Sequence, residues 1–70
     1  MTNNIPPSMN KREVIIEFAN IGNIVKVSAM DSATLTEISI QGPKSAGEEV
    51  LKRNAIKRLE YVLRKKGLIA

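Results

Sequence analysis

Apolar and polar positions alternate along the chain from Arg12 to about Gly42. In "REVIIEFA", Val14, Ile16 and Phe18 face one way, and Glu13, Ile15 and Glu17 the other. In "IVKVSAMD", Val25, Val27 and Ala29 oppose Ile24, Lys26, Ser28 and Met30; in "LTEISIQG", Ile38 and Ile40 oppose Glu37, Ser39 and Gln41. Period-two alternation rich in β-branched residues, interrupted at "NIGN" and "DSAT", predicts a three-stranded antiparallel meander.

The first hairpin carries a register expectation. Keeping Val14, Ile16 and Phe18 on the face of Val25, Val27 and Ala29 requires an even loop. A four-residue loop, "NIGN", pairs Ala19 with Ile24, so that Phe18 meets Val25, Ile16 meets Val27 and Glu17 lies opposite Lys26. Gly22 supplies a positive φ in that turn. The register of the second hairpin stays open.

After residue 43 the period changes. Ser45 followed by Glu48 reads as a capping box, in which the hydroxyl accepts from the Glu48 N–H and the carboxylate reaches back. Gly67 fits a C′ terminator. Between them the pattern predicts one helix of roughly twenty residues, about 30 Å long. Its apolar stripe centres on Leu51, Ala55, Leu59 and Val62, widened by Ile56 and Leu63, and covers the inner face of the sheet. The expected fold is therefore α+β: a three-stranded meander followed by one C-terminal amphipathic helix, β-β-β-α in two layers. Residues 12–70 form the single domain. Residues 1–11, with Pro6 and Pro7 and no periodicity, read as a disordered arm.

Composition narrows the chemistry. Seventy residues make one small domain, without a cysteine to staple it. The chain has no histidine either, so it lacks the usual general base near neutral pH and the commonest metal ligand. Its Ser and Thr residues have no evident activator. Asp31, Ser32 and Thr34 suit an ordinary turn, and "QGPKS" lacks the spacing of a phosphate-binding loop. The expectation is a protein that is not an enzyme and has no catalytic, cofactor-binding or metal-binding residues. With no signal peptide and no membrane-spanning run, a soluble cytoplasmic setting and no membrane partner are expected.

Charge adds one question. The formal net charge is +4, and all of it sits on the helix. There Lys52, Arg53, Lys57, Arg58, Arg64, Lys65 and Lys66 outnumber Glu48, Glu49 and Glu60. Arg53, Lys57 and Arg64 fall in a narrow sector opposite the apolar stripe. Such a face could lie along a phosphate backbone, making Arg53, Lys57, Arg58, Arg64, Lys65 and Lys66 candidate nucleic-acid contacts. The ordinary reading explains most of the same facts. Acids at the helix start and bases at its end follow the macrodipole, and Glu49–Arg53 and Glu60–Arg64 are favourably ordered i,i+4 pairs. The strands offer one aromatic, Phe18, directed inward, and hence no stacking platform for bases. The β-β-β-α order also resembles the latter part of a double-stranded-RNA-binding domain. That family carries a "KKxAK"-type motif at the start of its last helix; the segment here, "SAGEEV", is acidic.

The outer sheet face raises a different possibility. It presents Ile15, Ile24 and Met30, with Ile15 expected beside Ile24 or Met30, and both sheet edges lack a covering element. These three residues are the candidate protein contacts. The leading expectation is a protein–protein interaction module whose partner is another protein or a second copy of itself. Weak electrostatic binding of RNA or DNA by the helix is the alternative.

The run "EVIIEF…IGN…VKVSA", then "SIQGP…SAGE" leading into "KRLEYVL", resembles a family of small, uncharacterised alphaproteobacterial proteins of about 60–70 residues. The likeness covers about residues 12–67. It is a domain of unknown function, so the resemblance implies a bacterial cytoplasmic setting and no mechanism.

Overall fold

The computed structural model describes Met9 and residues 11–69. Three strands, β1 (Val14–Ile21), β2 (Ile24–Asp31) and β3 (Thr36–Pro43), form an antiparallel sheet in the order β1-β2-β3. A 3-10 turn (Lys44–Ala46) leads into one helix, α1 (Glu48–Lys65). The α+β meander-and-helix layout expected from the sequence is the observed one.

The first hairpin is tighter than expected. Ile21 pairs with Ile24 across a two-residue loop, Gly22–Asn23, so Phe18 faces Val27, Ile16 faces Ala29 and Glu17 faces Ser28. The expected pairing of Ala19 with Ile24 is off by two residues, and Glu17 and Lys26 become diagonal neighbours. Gly22 has a positive φ of 61° while Asn23 does not, the signature of a type II′ turn. That turn matches the twist of the strands and gains two cross-strand pairs, Asn20–Val25 and Ile21–Ile24. A slip of two leaves every side chain on its expected face. The second hairpin pairs Asp31 with Thr36 around Ser32–Leu35, and Leu35 takes a left-handed φ of 59°.

The capping box does not form. Ser45 lies in the 3-10 turn, and the residue preceding the helix is Gly47, with φ 88° and ψ 149° and no side-chain cap. Strand β3 runs through Pro43, so the chain must reverse within a few residues. The tight turn at 44–46 and a glycine-only backbone at Gly47 accomplish this. At the other end the expectation holds. Gly67, φ 73°, donates to the Arg64 carbonyl and Leu68 to the Leu63 carbonyl, the paired bonds of a Schellman motif.

The core lies between β2, β3 and α1. Val25, Val27 and Ala29 meet Leu51, Ala55, Leu59 and Leu63, flanked by Val14, Ile16, Ile38 and Ile40. Ile56 is also buried, whereas Val62 is only half-buried, so the apolar stripe is rotated toward Ile56 and Leu63. Gly42 leaves room for α1: a Cβ there would overlap Leu51 Cδ2. Met9 is fully buried in the same cluster. The arm expected at residues 1–11 otherwise lies, apart from Lys11, outside the described residues.

Candidate functional site

Alternation along the three strands sends Ile15, Glu17, Ala19 and Ile21 of β1 to the face away from α1. Ile24, Lys26, Ser28 and Met30 of β2 join them, with Glu37, Ser39, Gln41 and Pro43 of β3. No described element covers this face. Its rows read Ile15–Met30–Glu37 at one end, Glu17–Ser28–Ser39 and Ala19–Lys26–Gln41 in the middle, and Ile21–Ile24–Pro43 at the other. Ile15 and Ile24 are each 44% exposed, Ile21 58%, and Met30 is half-buried.

The three candidate contacts therefore separate. Ile15 stands directly across from Met30, but Ile24 lies six residues along β2 from Met30, about 20 Å away at 3.3 Å per residue. Ile24 instead joins Ile21 and Pro43, which the four-residue loop had hidden by placing Ile21 in the turn. A shallow depression lined by Glu17, Phe18, Ala19, Lys26 and Ser28 occupies the middle of the face at the β1 edge. A second, more apolar one lies against Asn23, Ile24, Gln41, Gly42 and Pro43.

The β1 edge itself is open among the described residues. Helix α1 lies over β3 and β2 and leaves β1 almost uncovered. Phe18 sits on the helix-facing side, as the alternation required, yet remains 37% exposed. An edge strand presenting unpaired N–H and C=O groups with apolar side chains on both faces is a template for another chain. The other edge is guarded: β3 ends in Gly42–Pro43, and a proline cannot donate to an added strand. β1 contains neither proline nor lysine.

One end of the sheet is fixed by an ion pair. Arg12 Nε and Nη2 donate to the two oxygens of Asp31, at 2.9 and 2.8 Å. The Thr34 hydroxyl donates to Asp31 Oδ2 at 2.7 Å and the Thr34 N–H at 3.1 Å. The Asp31 carboxylate accepts only, so Thr34 spends its single proton there and the Thr36 hydroxyl donates to Thr34 Oγ1, 2.8 Å apart. Asp31 is fully buried, and its pKa is held down at about 2, chiefly by the Arg12 bond and further by Thr34, against the opposing effect of burial. Every polar contact in this cluster is spent on closing the hairpin and seating the chain before β1. It is structural in kind. The sequence pattern marked Asp31 and Thr34 as turn residues, but the meeting of Asp31 with Arg12, 19 residues apart, had no local signal.

On α1, all six candidate nucleic-acid contacts, Arg53, Lys57, Arg58, Arg64, Lys65 and Lys66, are exposed. Rotation of the buried stripe, by about 40° at 100° per residue, places Lys57 with Val50 and Tyr61 opposite the core. Arg53 and Arg64 lie to one side. The Glu60–Arg64 pair forms, at 3.1 Å. Tyr61, 51% exposed, has Arg58 over its ring at 5.5 Å and Lys65 at 6.0 Å. Among the described residues, no group of three or more His, Cys, Asp or Glu is placed to hold a metal ion, and no helix is long and apolar enough to cross a membrane.

The chain belongs to the family described as "Domain of unknown function (DUF6898)", which matches residues 11–66. No curated protein and no solved structure matches it.

Proposed function

We propose that this protein is a non-enzymatic interaction module that docks a protein chain, a second copy of itself included, through the outer face and the free β1 edge of its sheet. The observation that carries this reading is the edge strand. β1 bears exposed Ile15 and Ile21 on one face and exposed Phe18 on the other, and neither α1 nor another described strand covers it. In a domain this small, covering that surface adds burial the chain cannot supply alone. The bacterial cytoplasmic setting implied by the family resemblance belongs to the same reading. The test is sedimentation of the unmodified chain against the Ile15→Lys/Met30→Lys double variant, with circular dichroism as the check on folding. Association that the double variant loses while staying folded supports the reading. Association unaffected by two lysines on that face contradicts it.

A second reading rests on Tyr61. An exposed ring with Arg58 and Lys65 near it, on a helix whose other candidate cations are also exposed, suits a phosphate backbone with a base or sugar against the ring. Binding to labelled duplex RNA and DNA across a salt series tests it. Micromolar affinity that falls steeply with salt, and is lost on charge reversal at Arg53, Lys57 and Arg64, supports it. No binding at low salt retires it.

A further inference from the structure

The free edge of β1 is self-complementary, in one register. Two ladder bonds fix which backbone groups point out of the sheet: Ser32 N–H donates to the Glu13 carbonyl at 3.0 Å, and Lys44 N–H to the Asn23 carbonyl at 2.9 Å. Direction alternates along a strand. Glu13, Ile15, Glu17, Ala19 and Ile21 therefore point their N–H and C=O groups at β2, while Val14, Ile16, Phe18 and Asn20 point theirs out of the sheet. Resting on the docking surface proposed above, we infer that its occupant is a second copy of this chain. The two β1 strands pair antiparallel about a two-fold axis at Phe18, joining two three-stranded sheets into one of six.

The register follows from parity, charge and apolar matching together. With the axis at Phe18, the two Phe18 residues form a hydrogen-bonded pair, and Ile16 of each copy forms one with Asn20 of the other. All of these groups point outward in the single chain. On the helix-facing side the half-exposed Phe18 rings meet between the two helices, an arrangement aromatic pairs favour.

On the outer face Ile15 of one copy lies opposite Ile21 of the other. The two apolar rows that are separate in one chain become continuous: Met30 and Ile15 of the first copy run into Ile21, Ile24 and Pro43 of the second, and the same row repeats by symmetry. Glu17 lies opposite Ala19 of the second copy, whose own cross-strand neighbour is Lys26. Only a methyl group separates that carboxylate from that ammonium across two strand spacings, about 10 Å between backbones. Two such pairs form per dimer. Moving the axis to Glu17 sets the two glutamates against each other, and moving it to Ile16 sets Ile15 against Glu17 and breaks the apolar rows.

The experiment measures self-association of the full chain by sedimentation for Glu17→Lys, for Lys26→Glu, for their equimolar mixture and for Asn20→Pro. Each charge variant alone faces like charges twice across the axis and should dimerise about tenfold or more weakly than the parent. In the mixed dimer both pairs are again opposite in sign, so the mixture should recover the parent affinity. Asn20→Pro removes an outward N–H at a solvent-facing edge position and should leave a folded monomer. If the proline variant fails to fold, the charge exchange still decides. A parent chain that is monomeric at every concentration overturns the inference. So does a dimer that Ile15→Lys/Met30→Lys disperses but that ignores Asn20→Pro and shows no recovery on mixing. That second outcome keeps the sheet face as the docking surface and removes the edge pairing.

Discussion

Asp31 ties three parts of the chain together with one carboxylate: Arg12 before β1, the end of β2, and Thr34 in the following loop. Removing the guanidinium leaves a buried charge with a hydroxyl and an amide as its remaining partners. Arg12→Ala should destabilise the fold, read as a lower denaturation midpoint. The same contacts give a pH signature. The folded-state pKa of about 2 lies below the ordinary 3.8, so the stabilisation is complete above about pH 4 and is lost as pH falls through 2. Melting temperature should therefore fall steeply over that window in the parent and less steeply in Asp31→Asn, whose own baseline is lower. None of this was legible in the sequence. "DSAT" announced a turn, but nothing local to Arg12 pointed to Asp31, because ion pairs across 19 positions depend on where the sheet brings the chain.

At the scale of elements, patterning worked wherever a long periodic run decided the outcome and failed at the joints. The faces of all three strands and the buried side of α1 follow from period two and period 3.6. The joints were decided by backbone conformation. The Gly22–Asn23 turn shortened the loop of the first hairpin from four residues to two, and Gly47 displaced the capping serine, in both cases through a glycine at positive φ. Those glycines were visible, but their competition with the four-residue loop and with Ser45 was not, since both alternatives satisfy the same pattern. Gly42 is a third joint. Its missing Cβ lets Leu51 bring α1 onto β3, so Gly42→Ala should destabilise the fold by about 1–3 kcal/mol through overpacking. Gly42→Ala combined with Leu51→Val should recover part of that loss in the same denaturation assay.

For the whole molecule, the decisive feature is an offset. One helix of 18 residues covers β2 and β3, and the stripe it buries is just wide enough for two strands. β1 is left with Val14 and Ile16 half-covered and Phe18 open. Met9 contributes a fully buried side chain from the segment before the first strand, although its surroundings in the sequence are polar. Met9→Ala should therefore destabilise the domain by about 2 kcal/mol or more, where an arm residue would have no effect on thermal melting. The sequence revealed an open outer face and unprotected edges. It could not show that the helix would favour β3 over β1, because that offset is set by how the elements pack in space. That asymmetry leaves the β1 edge open among the described residues, and this is the edge proposed above as the docking surface. In the proposed pairing of two β1 strands, the separate rows of Ile15 with Met30 and of Ile21 with Ile24 would join into one.

Sedimentation equilibrium of the unmodified full chain, from about 10 μM to about 1 mM, decides whether two copies pair through the sheet. The mass should climb with concentration from the 7.7 kDa of one chain toward twice that value and stop there. A mass that stays at 7.7 kDa throughout would contradict it.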